Sequence, residues 1–463
     1  AGLGVHSAPF RHQTEALEVA ATGRDLFVST GTGSGKTECF MWPLLAKLVA
    51  EAHDSPQTWS MRGVRTVIMY PMNALVSDQV GRLRRLIGDS KGDFVRIFRN
   101  ICGNSVRRPQ FGMYTGRTPY PGAMPQNRQD RMLEKTIARI SFPQTDNEQE
   151  FFKKLTKEGR IPAKADMDAF LHRLHESRHI PDPEDAELIT RFEMQNFCPD
   201  VLITNYSMLE LMLFRPREAK IWNSTKAWLD SNPANKLLFV IDEAHMYKGS
   251  AGGEVALLIR RLFHKLGISR QRVQFILTTA SMPDRNDDDR NAVEQFAQEL
   301  TAANNTNHFC FLKGNLEKID GKVKYDIPID CFLSCSAAEF EESEENRLAA
   351  LNRFWANIPG AATPFSSTEA AYAWMYDNII FYRPFYEMIY KCRGTAVSLQ
   401  ELAQSIFSGI AEEDALTAIS VLLSILPLAR NKKGTVLFPA RMHMLFKGIK
   451  GVYACANADC PHS

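Results

Sequence analysis

The chain has 463 residues, of which 44% are hydrophobic and 23% charged, and its formal net charge is +2. That composition suits a folded protein of two to four domains and excludes a strongly basic chain, so local runs must carry any affinity for nucleic acid. No apolar stretch reaches the length that spans a bilayer, and nine mostly scattered cysteines suit a reducing compartment, so a cytoplasmic protein without membrane contact is expected.

In chain order, Pro9 to Ala16 carries Gln13, whose amide is donor and acceptor at once and can read both edges of an adenine. The apolar run Leu26-Phe27-Val28 predicts a strand, and Glu38 to Leu48 predicts a helix. Between them lies Thr30-Gly31-Thr32-Gly33-Ser34-Gly35-Lys36-Thr37. A glycine-rich turn at a helix N-terminus aims backbone N–H groups at one spot, where the helix dipole also favours an anion. Gly33, Ser34 and Gly35 form the cradle, Lys36 reaches the outer phosphates of a nucleoside triphosphate, and Thr37 offers a hydroxyl to Mg²⁺. ATP and Mg²⁺ are therefore the expected cofactors.

Thr66 to Tyr70 predicts a strand closing on Pro71, followed by Met72 to Gln79 and a helical Val80 to Ile87 with Arg82, Arg84 and Arg85. Phe94 to Phe98 is expected as a further strand, and Gly112 to Thr118 as the end of another. From about 119 to 198 prolines and charges dominate, with helical patterns at Arg131 to Ile140, Glu150 to Lys157 and Met167 to His175. So long a segment between strands predicts an inserted helical subdomain. Its basic residues, Arg128, Arg131, Lys135 and Arg139, suit either nucleic acid or a solvated helix face.

Strands resume at Val201 to Leu209 and at Leu237 to Ile241. The second runs into Asp242-Glu243-Ala244-His245. A fully apolar run predicts a strand buried on both faces, and carboxylates at its end need a partner. Beside a phosphate cradle they have one: Asp242 for Mg²⁺, Glu243 to orient and deprotonate the attacking water. Val273 to Leu277 is a last strand of this series, ending in Thr278-Thr279-Ala280-Ser281.

Taken together, residues 8 to 283 resemble superfamily 2 helicases of the DEAD/DEAH-box group. The resemblance implies a RecA-like P-loop fold, an α/β domain over residues 1–320 with a helical insertion at about 119–198. It also implies an adenine-reading Gln13, a catalytic set of Lys36, Asp242, Glu243 and His245, and coupling residues Thr279 and Ser281. Nucleic-acid contacts fall on Asn73, Thr115, Gly116, Arg117, Thr204 and Asn205. The longer stretch Asp242 to Gly249, with Gly252 and Leu258-Ile259-Arg260-Arg261-Leu262, resembles MrfA-type DNA helicases and the large Druantia-type helicases of prokaryotic defence loci. DNA, single-stranded or with a single-stranded region, is the partner implied, with defence or repair proteins beside it. An RNA helicase, or a nucleotide-dependent switch or scaffold without unwinding, stays open.

In the second half, Asn286 to Arg290 is expected as a loop, Ala292 to Ala302 as a helix and Phe309 to Leu312 as a short strand. Helices at Phe385 to Lys391, Leu399 to Phe407 and Asp414 to Ile425, then a strand at Leu437-Phe438 after Lys432-Lys433-Gly434, suggest a winged-helix-like domain over 330–445. A helical packing domain without nucleic-acid contact is the alternative. Residues 446–463 hold Cys455 and Cys460, two thiolates at a spacing compatible with Zn²⁺, with His462 as a further candidate. No arginine-finger motif of the second RecA-like domain follows Ser281. The chain is thus expected to be the N-terminal motor part of a longer helicase, nearly inactive alone.

Overall fold

The computed structural model describes residues 9–30, 35–89, 92–120, 131–279, 287–304, 309–313, 323–341, 343–356, 358–392, 397–431, 434 and 436–438. Eight strands, β1 (Leu26–Ser29), β2 (Thr66–Tyr70), β3 (Phe111–Tyr114), β4 (Glu187–Leu188), β5 (Val201–Asn205), β6 (Leu237–Ile241), β7 (Val273–Thr279) and β8 (Cys310–Lys313), form one sheet. Its order is β4-β3-β5-β2-β6-β7-β1-β8, and every pairing is parallel.

Successive strand residues feed two different cores, as the two-residue period of a strand requires. Phe27, Val67, Met69, Leu202, Phe239 and Ile241 enter one, packed by helices Tyr206–Phe214, Ala219–Ser231, Ser250–Leu266 and Asp287–Thr301. Leu26, Val28, Ile68, Ile203, Leu238 and Val240 enter the other, packed by helices Arg11–Ala21, Glu38–Asp54, Asn73–Leu83 and Asp93–Cys102. A sheet covered on both faces is what parallel strands need, and the RecA-like α/β architecture is present.

Three local expectations change. Phe94 to Phe98 lies in the helix Asp93–Cys102, with Phe94, Val95 and Phe98 buried and Asp93 in the first turn. Apolar positions at i, i+1 and i+4 follow the helical period, and that outweighed the aromatic content. Asp287 to Arg290, expected as loop, is the first turn of the helix Asp287–Thr301, where the side chains of Asp288 and Asp289 suit the positive end of the dipole. The insertion contains the three expected helices, at Arg131–Ser141, Asp146–Lys157 and Met167–His175, but its last part rejoins the sheet as the edge strand β4. Arg84 holds β4 there by a bidentate pair with Glu187, at 2.6 and 2.7 Å. Lys164, its side chain fully buried, joins Asp185 and Glu193 at 3.1 and 2.6 Å.

Beyond β8, residues from Ile327 to Ala429 build a separate, aromatic-rich core. The helices Arg383–Lys391, Leu399–Ile406 and Glu412–Ile425 stand where the sequence placed three. The expected wing is a single antiparallel bridge, Arg430 with Val436, and among the described residues Leu437-Phe438 is not a strand.

Candidate functional site

β1 lies between β7 and β8, and β6 lies between β2 and β7. The carboxyl ends of β1, β7 and β6 therefore adjoin, and in open α/β sheets this edge is where ligands bind. Backbone pairing fixes the arrangement further. The Thr30 N–H donates to the Thr279 carbonyl (3.3 Å), tying the start of the glycine-rich turn to the end of β7. Ile241 pairs with Leu277, so Asp242 falls beside Thr278, one step on.

Gly35 has φ +76°, and a Cβ there would overlap Gln13 Nε2. Both facts require glycine. Gln13 is buried: its Nε2 donates to the Gly35 carbonyl (3.1 Å), and its Oε1 accepts from the Phe10 N–H (2.9 Å). The amide thus clasps the helix Arg11–Ala21 to the turn, using its donor and its acceptor at once. Lys36 and Thr37 lead directly into the helix Glu38–Asp54.

Lys36 Nζ lies 3.2 Å from Glu243 Oε1, so the cationic end of the turn and the acidic end of β6 meet. Asp242 is buried; its Oδ1 accepts from the Thr278 hydroxyl and from the Glu243 N–H (3.0 Å). Burial and, next, the neighbouring Glu243 charge push the Asp242 carboxyl above the usual carboxylate range. Glu243 adopts φ +50°, ψ +48°, a left-handed conformation that costs a non-glycine residue about 1–3 kcal/mol. His245 Nδ1 lies 3.0 Å from Thr279 Oγ1 and 3.3 Å from Glu243 Oε2. With His245 neutral, two adjacent carboxylates facing one lysine leave negative charge over, and apart from that ring at 3.3 Å the buried Glu243 Oε2 has no hydrogen bond among the described residues. An oxygen-ligated divalent cation fits that donor set.

The second group of predicted residues gathers at the neighbouring ends of β2, β3 and β5. Asn205 Nδ2 donates to Asn73 Oδ1 (2.6 Å), while Asn205 Oδ1 caps the helix Tyr206–Phe214 through the Met208 N–H (2.8 Å). Gly116 and Arg117 are exposed in the turn after β3. Thr115 and Thr204, the other two residues named for nucleic acid, are buried. The Thr204 hydroxyl is spent on the Tyr114 carbonyl (2.7 Å), and the Thr115 hydroxyl accepts from the Arg117 N–H (3.2 Å). Both brace the loops that carry the exposed residues. In the insertion, Lys135 and Arg139 are exposed. Gly33, Ser34, Ser281, Arg128, Cys455, Cys460 and His462 lie outside the described residues, as does the side chain of Arg131.

Thr278 was missed from sequence, although one position before Thr279 on a strand, with the opposite facing, it could be found by pairing it with Asp242. The pair Arg82 and Glu38, 3.2 Å apart, was missed as well; nothing local announces a contact 44 residues apart.

The DEAD/DEAH box helicase family model matches residues 10–158. The chain is 37% identical over 489 residues to the Druantia protein DruE of Escherichia coli strain UMEA 4076-1, a match covering 99% of this chain and 26% of that protein. It is also 38% identical over 84 residues to the ATP-dependent RNA helicase rok1 of Aspergillus niger, covering 18% of this chain and 11% of that one. Among solved structures, the crystal structure of the DUF1998 helicase MrfA is similar at 14% identity and a TM-score of 0.39, over 96% of this chain and 58% of that one. The chain thus spans about a quarter of the length of its Druantia relative. Over residues 10–158 this chain thus carries a DEAD/DEAH box helicase domain, and it is similar over nearly its whole length to the Druantia protein DruE.

Proposed function

We propose that this chain is the ATP-binding motor part of a DNA helicase or translocase acting in antiviral defence or DNA repair. The observation that carries the reading is the meeting of Lys36 with Glu243 beside Asp242, on the same sheet edge as the Asn73–Asn205 pair. Lys36 and the backbone of the glycine-rich turn hold the phosphates. Thr37 and Asp242 would hold Mg²⁺, which when bound neutralises phosphate charge. Glu243 orients the attacking water and takes its proton. His245 and Thr279, hydrogen-bonded, join that chemistry to the end of β7, where a change at the phosphates passes to the rest of the motor. Asn73, Asn205, Gly116 and Arg117 face the nucleic-acid backbone. An arginine from a second RecA-like domain would complete the site, a contribution worth about 10³- to 10⁵-fold in related NTPases, so residues 1–463 alone should turn over slowly.

Similarity to the Druantia protein over 99% of the chain favours a defence setting. The shorter similarity to an RNA helicase supports RNA as the second reading, since backbone contacts alone distinguish the sugars poorly. The test is steady-state ATPase of the whole protein with single-stranded DNA, duplex DNA and RNA. Stimulation by DNA above RNA supports the first reading and the reverse supports the second. ATPase indifferent to all three points to a switch or scaffold.

A further inference from the structure

The helix Asn73–Leu83 touches both parts of the site. Its first residue, Asn73, is bonded to Asn205 at the nucleic-acid-facing ends of β2 and β5. Its last turn carries Arg82, whose guanidinium reaches back to Glu38 Oε1 at 3.2 Å, with Asp78 Oδ2 at 3.7 Å on the other side. Glu38 directly follows Lys36 and Thr37. Its carboxylate is packed against Gly35, beside Lys36: Glu38 Oε2 lies 3.1 Å from where a Cβ on Gly35 would sit, and is buried without a hydrogen bond among the described residues. A carboxylate in that place opposes the phosphates that the cradle exists to hold, and a short-range repulsion in a partly dry site is not screened by salt.

We propose that Arg82 and Glu38 form a positioning pair that ties phosphate affinity to the nucleic-acid end of the helix Asn73–Leu83. Arg82 neutralises Glu38 beside Lys36. Because it rides on a rigid helix, a shift of Asn73 on engaging nucleic acid changes how well it does so. The inference rests on the reading of this edge as an ATP site, and Lys36→Ala separates the two. If that variant leaves nucleotide binding intact, the ATP-site reading itself fails.

The experiment titrates a fluorescent non-hydrolysable ATP analogue into the whole protein, with and without the nucleic acid that best stimulates the wild-type ATPase. Arg82→Ala should weaken the analogue by about tenfold, the usual scale of coupling between sites, by leaving Glu38 uncompensated. Glu38→Gln alone should change little. The double variant E38Q/R82A should recover the affinity, because no charge then needs compensation, yet it should lack the tightening that nucleic acid gives the wild type. A purely structural role predicts additive losses and a lowered melting temperature in the double variant. Wild-type affinity in Arg82→Ala, an unrelieved loss in the double variant, or undiminished tightening by nucleic acid in it would each overturn the proposal.

Discussion

The sheet region and the helical region beyond it bury different things. Through residue 301 the buried set includes charged side chains, among them Arg65, Asp200, Glu193, Glu218 and Asp242, and many pair across strands or loops. Arg65, for instance, is fully buried between Trp59 and Trp228 while it pairs with Glu51 and Asp200. From Ile327 to Ala429 the buried set is aromatic and aliphatic, and Thr368 is the one buried polar residue among those described there. Trp355 sits at its centre, with Phe354, Trp374, Tyr382 and Phe385 at ring separations of 5.0 to 5.8 Å. Buried charge has to be matched by partners, so the first region keeps its charges where they tie loops and neighbouring elements to the sheet. In the second, the interior does packing alone, and any contact with a partner must be made by its surface.

If that contrast is right, substitutions should separate activity from stability by region. The largest effect belongs to the edge: Glu243→Gln should cut ATP turnover by about 10²- to 10⁴-fold, the range for losing a general base, while the melting temperature holds and a nucleotide-bound state accumulates. Turnover near wild type would remove Glu243 from the chemistry. Next comes the aromatic core. Trp355→Ala should cost about 3–5 kcal/mol of stability, read by denaturant unfolding, with nucleotide affinity unchanged at temperatures where the protein stays folded. A selective loss of ATP binding instead would show that the two regions work as one.

Thr278→Val sharpens the comparison from inside the edge. It removes the hydroxyl that donates to buried Asp242, and leaving that carboxylate short of a donor should cost about 1–3 kcal/mol. Added Mg²⁺ with nucleotide should restore part of it, visible as a larger thermal shift than in the wild type. No change in stability would mean that Asp242 finds another donor. The smallest effect is expected from Asn205→Ala, which deletes a helix cap and the link to Asn73. It should cost about 0.5–2 kcal/mol, weaken nucleic acid and leave ATP affinity alone. Equal losses of both ligands would argue that the cap merely holds the sheet edge together.

What could be read in advance follows the same division. β2, β5, β6 and β7 were legible because strands buried on both faces are largely apolar runs. β4 was not, since it is two residues long and one is Glu187, whose buried carboxylate is matched by Arg84 and the Ala163 N–H from other elements. The same non-local pairing hid Thr278 beside Asp242 and Arg82 beside Glu38. Nor does the sequence show that the Thr204 hydroxyl donates to the Tyr114 carbonyl or that the Thr115 hydroxyl accepts from the Arg117 N–H.

The most direct measurement is a nucleotide titration on three forms of the whole protein: wild type, Glu243→Gln and Lys36→Ala. ATP with Mg²⁺ is expected to bind the first two with similar affinity, because the amide keeps the shape of the site, and to bind the third far more weakly for want of the charge that now meets Glu243 at 3.2 Å. Unchanged affinity in Lys36→Ala would contradict the placement of the nucleotide at the carboxyl edge of β1 and β6.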